Sequence, residues 1–232
     1  MEARKVFWTG GWDSTYRLLS LVLDHKVDVQ PLYVLDLDRK SYAHELRAMA
    51  DIRAGIEVFA GRRGRLHLTR VYLKHEIAEN EDITRLFAEL ADQVHVGSQY
   101  EWLARLCEQE QLTGVELSLT GHEVGTDLQN RMFVEPRSGD FQLRTDEEVR
   151  RLFSFYSFPL LQTTKEDMRV GAEEKGFMNL LEKSWFCHHP ILGSPCGYCQ
   201  PCRFSREAGR SIRYSRAGWF VDLGRRLKRA VR

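Results

Sequence analysis

Between Lys5 and Leu19 the chain passes from a short apolar run, through two adjacent glycines, into a helix-forming stretch. Lys5-Val6-Phe7-Trp8-Thr9 has the length and composition of a buried strand. Gly10 and Gly11 permit a tight turn with φ > 0 and a close approach of the backbone to an anion. Ser14-Thr15-Tyr16-Arg17-Leu18-Leu19 opens a helix whose free N–H groups point at the loop. Hydroxyls of Thr9, Ser14 and Thr15 are available for further hydrogen bonds. The string Gly-Gly-x-Asp-Ser also fits a plain strand, a turn and an Asp or Ser helix cap. It is not the Walker loop, because no Gly-Lys-Ser/Thr follows at the required spacing.

The same strand-then-helix alternation continues. Strands are predicted at residues 5–9, 29–37, 66–73 and 115–120, and helices at 14–24, 41–58, 82–90, 99–111 and 165–175. This alternation predicts an α/β fold, a Rossmann-like parallel sheet with helices on both faces. In such a sheet a ligand sits past the carboxyl ends of the strands, where Thr9, Gly10, Gly11, Trp12, Asp13, Ser14, Asp36 and Gly121 are expected to converge. With 232 residues, 43% of them hydrophobic, one such core is affordable. A formal charge of +1 gives no global field toward nucleic acid or membrane. No apolar run reaches the ~20 residues that span a bilayer.

Cys187, Cys196, Cys199 and Cys202 follow the spacing C-x8-C-x2-C-x2-C, and Gly197 allows the turn between thiolates. Four thiolates in a loop-rich segment predict a closed, tetrahedral structural Zn²⁺ site. An iron–sulfur cluster and disulfides are the alternatives. No signal-peptide pattern opens the chain, so a reducing, cytoplasmic location is expected, which disfavours disulfides. His188 and His189 either replace a thiolate or pack beside the site.

Together these two motifs resemble the 7-cyano-7-deazaguanine synthase family of queuosine biosynthesis. Its members carry an N-terminal PP-loop and a C-terminal four-cysteine knuckle in this order. Pro159-Leu160-Leu161 followed by Thr164-Lys165-Glu166-Asp167-Met168 looks like another family segment. Ser184-Trp185-Phe186-Cys187 looks like the family's approach to the first cysteine, and Thr120-Gly121-His122-Glu123 stands where the family has a Gly-x-Asn loop. The resemblance covers residues 4–208. It implies the adenine nucleotide α-hydrolase-like fold over residues 1–180, a zinc knuckle over 181–210 and a basic tail over 211–232.

The resemblance also implies chemistry. ATP, held by Thr9 to Thr15 with Asp36 and Gly121, is cut between its α- and β-phosphates. Asp13 holds Mg²⁺, Ser14 binds phosphate, and Lys165 contacts the phosphates or the developing charge. A deazaguanine carboxylate is adenylated and then takes ammonia or another amine, giving an amide and, after a second round, a nitrile. Departures affect the substrate pocket: the family's Tyr-Gly-Gln-Arg-His and Tyr-Pro-Asp-Cys-Arg stretches are missing, Asp36 to Glu45 keeps only the Glu, and Asp127 is one residue out of register. Synthase-like relatives in antiviral defence join a deazaguanine to a protein, so a protein or other macromolecular acceptor stays open. A homodimer is in keeping with the family. Rival readings are a tRNA-modifying PP-loop enzyme, a non-enzymatic zinc-knuckle RNA binder, and a subunit active only with a partner.

Smaller features complete the reading. Arg137-Ser138-Gly139-Asp140 predicts a turn within an inserted lid. Phe153, Phe155, Tyr156 and Phe158 fit a half-buried strand or a stacking surface for a purine-like ring. Trp12 either lies near the ligand or packs the loop onto the sheet. The arginines and lysines from Arg213 to Arg232, interleaved with Trp219, Phe220 and Leu223, read as an amphipathic helix with a solvated basic face or as an RNA-binding arm. Cys107 reads as a small core residue.

Overall fold

The structure, a computed structural model, describes residues 2–61, 63–134, 141–207, 220 and 224. The expected lid turn, Arg137 to Asp140, and the basic tail apart from Phe220 and Gly224 lie outside the described residues. Strands are β1 (Arg4–Phe7), β2 (Val29–Leu35), β3 (Arg70–Leu73), β4 (Val115–Glu116), β5 (Phe133–Val134), β6 (Gln142–Leu143) and β7 (Tyr156–Ser157). Helices are α1 (Trp12–Leu19), α2 (Tyr42–Glu57), α3 (Glu81–Gln93), α4 (Gln99–Gln109), α5 (Gly121–Met132), α6 (Glu147–Phe153), α7 (Lys165–Glu174), α8 (Met178–Leu181) and α9 (Gln200–Glu207). Past Leu19, α1 loosens into a π-helical turn, Ser20–Asp24, closed by the His25 N–H donating to the Ser20 carbonyl at 2.9 Å.

Five strands form a parallel sheet in the order β3-β2-β1-β4-β7. Side chains alternate across it, as strand geometry requires. Val6, Trp8, Val29 and Tyr33 face a core built with α1, α2, α7 and α8. Phe7, Leu32 and Val115 face a second core built with α3, α4, α5 and α6. The sheet is therefore covered on both faces. Cys107 lies in the second core, where burial pushes its thiol up to about 12 and leaves it a packing residue.

Several elements differ from the sequence-based expectation. Leu66 touches the sheet only through an isolated bridge to Val29, so the third strand starts at Arg70. The fourth strand is two residues long, although the Leu117 N–H still donates to the Ser157 carbonyl at 2.9 Å. The aromatic run contributes Tyr156 to the last strand, while Phe153 ends α6. The rings of Phe7, Tyr156, Phe158 and Phe133 meet edge-on, centroid to centroid at 5.3–6.2 Å, inside the second core.

One buried ion pair staples α1 to the sheet. Glu116 on β4 is only 2% exposed, and Arg17 on α1 donates to both of its oxygens at 2.6 and 3.0 Å. Arg4 adds a weaker partner at 3.8 Å. Removing one member strands the other charge, so Arg17→Met is expected to cost about 3–5 kcal/mol by urea unfolding. The double change to Arg17→Met and Glu116→Leu should recover most of it. A single-variant loss under about 1 kcal/mol would show that solvent screens the pair.

Candidate functional site

The chain leaves β1 on one side, builds β2 and β3 outward, and returns to place β4 against the opposite edge of β1. Loops after β1 and β4 therefore lead to opposite faces of the sheet, the arrangement in which open α/β sheets place a ligand at the carboxyl ends of their strands. The glycine loop follows β1, and α5 begins at Gly121 after β4.

Within the glycine loop only Gly10 takes a positive φ, +67°; Gly11 is extended at −76° and serves as the N-cap of α1. A Cβ on Gly10 would lie 2.9 Å from the Glu45 carbonyl oxygen and 3.1 Å from Cγ of Met49. Gly10→Ala is thus expected to cost about 1–2 kcal/mol in left-handed backbone strain alone, and more from the clash. Unchanged urea stability in that variant would disprove the tight turn. The N-cap of α1 is Gly11, which has no side chain to cap with, and the first turn carries Asp13.

The hydroxyls expected around the loop split into two sets. Thr9 is exposed; its N–H donates to Ser14 Oγ at 3.3 Å, and its own hydroxyl lies 3.4 Å from Ser14 Oγ. Ser14 Oγ reaches the Gly11 carbonyl at 3.5 Å. Thr15 is fully buried and accepts from the Trp8 indole N–H at 3.1 Å, so its hydroxyl fastens α1 to β1. Trp12 is 7% exposed and packs in the core with Val6, Trp8 and Met49.

Lys165 arrives from 152 residues away to form an ion pair with Asp13. Its delivery follows from the local sequence. Leu160 and Leu161 bury themselves in the two cores. Thr164 then caps α7: its hydroxyl accepts from the Asp167 N–H while the Asp167 carboxylate accepts from the Thr164 N–H, a capping box. Met168 and Ala172 are buried, and Gly171 lets α7 approach Tyr16 of α1 closely, where a Cβ would meet the hydroxyl at 2.7 Å. Lys165, the first residue of α7, is thereby held over the first turn of α1. The same segment anchors α5, since the Gly121 N–H donates to the Leu161 carbonyl at 2.9 Å. Asp36, at the end of β2, accepts from Lys74 at 2.7 Å.

Glu45, 5% exposed at the start of α2, received no role from the sequence. Tyr33 donates to one of its oxygens at 2.9 Å, Ser41 to the other at 2.6 Å, and Arg39 lies 3.2 Å away. Burial, with the Glu45 charge second, holds the Tyr33 hydroxyl above the usual phenol range. The network fixes the turn of α2 that backs onto Gly10.

Four cysteines form the second cluster. Their sulfurs all lie within 4.8 Å of one another, and Cys187, Cys196 and Cys202 are fully buried. A tetrahedron of ~2.3 Å zinc–sulfur bonds has sulfur–sulfur edges of about 3.8 Å, and Cys196 Sγ lies 3.8 Å from Cys202 Sγ. Backbone N–H groups of Cys196 and Cys199 donate to the sulfurs of Cys187 and Cys196 at 3.1 and 3.4 Å. The His188 backbone supports Cys199 in the same way. Gly197, at φ +79°, makes the turn. Such amide donors stabilise thiolates, and the set can bind a metal ion such as zinc. Hydrogen bonds from Cys187 and Cys202 hold the Cys199 thiol low, while the hydrogen bond with Cys199, and burial after it, raises Cys187. Among the described residues His188 and His189 stay out of the ligand group; His188 is exposed, and His189 stacks on Tyr198 at 6.2 Å.

Among the described residues no helix is long and apolar enough to cross a membrane. No family model matches the chain, and no curated protein matches it.

Proposed function

We propose that this chain is an ATP-dependent C–N ligase of the 7-cyano-7-deazaguanine synthase type, with a PP-loop nucleotide site and a structural zinc knuckle. The observation that carries the reading is the meeting of Asp13 and Lys165 over the N-terminus of α1, beside a glycine loop at the carboxyl end of β1, next to β4. An anion there finds oriented N–H groups, a cation and hydroxyls within one turn of helix.

Residue roles follow from placement. Loop amides and Ser14 bind phosphate oxygens. Lys165, 40% exposed, donates to the phosphates and balances charge that builds up during transfer. Asp13 is the residue that would hold Mg²⁺, whose contribution is to neutralise the leaving pyrophosphate. Gly121 and the start of α5 border the opposite wall. A substrate carboxylate oxygen bonds to the α-phosphorus as the bond to the β-phosphate oxygen breaks, releasing pyrophosphate. An amine then forms the C–N bond, AMP leaves with the electron pair, and the amine loses a proton. On this reading the protein works in the cytosol, where its thiols stay reduced.

The test is pyrophosphate release from Mg-ATP with 7-carboxy-7-deazaguanine, with and without ammonium, products read by mass spectrometry. Nitrile or amide formation supports the proposal. Adenylate without amide, rescued by adding a protein amine, identifies the conjugating branch. No pyrophosphate under any of these conditions rejects the deazaguanine reading.

A further inference from the structure

Trp185 joins the cysteine knuckle to the glycine loop. Its backbone N–H donates to the Gly10 carbonyl at 2.8 Å. Its indole N–H donates to the Cys187 carbonyl at 2.7 Å, reaching the first residue of the metal cluster. Its ring lies on His44, with centroids 4.2 Å apart and planes within 13°. His44 precedes Glu45, whose carbonyl oxygen crowds Gly10 from the other side. Metal cluster, loop and α2 therefore meet at Gly10.

The bond to the Gly10 carbonyl has a consequence for anion binding. Residues 10 and 11 share a planar trans peptide, in which C=O and N–H point in opposite directions. Tying the Gly10 oxygen to the knuckle turns the Gly11 N–H away from it. Orientation of the loop amides thus depends on where Trp185 stands, and that depends on Cys187.

We infer that Trp185 is a positioning residue that links metal binding in the cysteine cluster to the shape and anion affinity of the glycine loop. The nucleotide part of this inference rests on the ATP-site reading; the link between metal and loop does not. Linkage is reciprocal, so the metal tightens the loop ligand and the loop ligand tightens the metal.

Cobalt(II) loaded into the cluster tests this, because its absorption spectrum reports the four-sulfur ligand set directly. Hydrogen exchange over residues 9–15 reports the loop, and calorimetry with Mg-ATP reports its affinity. Cobalt-loaded Trp185→Ala with a native spectrum is expected to exchange its loop amides about tenfold faster and to bind Mg-ATP about tenfold more weakly. Trp185→Phe, which keeps the stack on His44, should restore most of both. Chelating the wild-type protein should accelerate the same amides. If Trp185→Ala fails to hold cobalt, His44→Ala takes its place, with loop exchange expected to rise about fivefold while the spectrum stays native. Wild-type loop exchange in cobalt-loaded Trp185→Ala, or in the His44→Ala that takes its place, overturns the inference, whatever the nucleotide does. Faster loop exchange in a protein that never binds Mg-ATP upholds the link and rejects the ATP-site reading.

Discussion

Asp13→Ala is expected to lower pyrophosphate release by at least about 10³-fold, while the cysteine cluster keeps its metal. The prediction separates function from stability. Asp13 pairs with Lys165, and that lysine is 40% exposed, so without this partner it stays within reach of water. Loss of the pair should cost at most about 1 kcal/mol of folding free energy. Activity falls steeply and stability hardly moves, which is the reverse of the Arg17 and Glu116 case, where the carboxylate is buried and cannot reach water. Asp13→Asn keeps the shape and an acceptor but removes the charge, and should be nearly as inactive. On the proposed reading, Lys165→Ala should lose about 10²-fold, since one donor to the phosphates would go while the loop amides remain. Full pyrophosphate release from Asp13→Ala would show that the glycine loop is not the phosphate site.

Cys199→Ser should act through the other channel, on the fold. Replacing one of four thiolates with a hydroxyl leaves three sulfurs and a far poorer ligand for a soft-leaning metal. Metal binding free energy is folding free energy in such a knuckle. More than about 4 kcal/mol is expected to be lost, which for a chain of this size lowers Tm by roughly 8–16 °C. Elemental analysis should find one zinc per chain in the wild type and little in the variant. Cys107→Ala should keep its zinc, because that thiol is buried in the second hydrophobic core and takes no part in the cluster. Iron in place of zinc, with the visible absorption of an iron–sulfur cluster, would overturn the identification of the metal. A chelated wild type that melts like the zinc-loaded protein would overturn the structural role.

Much of the architecture was legible because it is written in local patterns. The apolar run before Gly10, the period of α2 and the spacing of the four cysteines each depend on residues close in sequence. Local sterics decide such features: a left-handed turn needs glycine, and a tetrahedral thiolate set needs tight turns. The capping box at Thr164 and Asp167 is of the same kind. α6 lies outside the predicted helices because seven residues carry too little periodicity, whereas the aromatic alternation around Tyr156 did signal a half-buried strand, which is β7.

Sequence alone determined that a glycine loop would join a strand to a helix, and that four thiols would cluster. Only the tertiary structure decided what those motifs touch. Lys165 meets Asp13, Glu116 meets Arg17 and Trp185 meets Gly10 because β4 returned to the far side of β1 and α7 packed on α1. Each contact joins segments tens to hundreds of residues apart, so no window of sequence contains both partners. Which partners meet is set by burial of the two core faces, a property of the whole sheet rather than of any stretch within it.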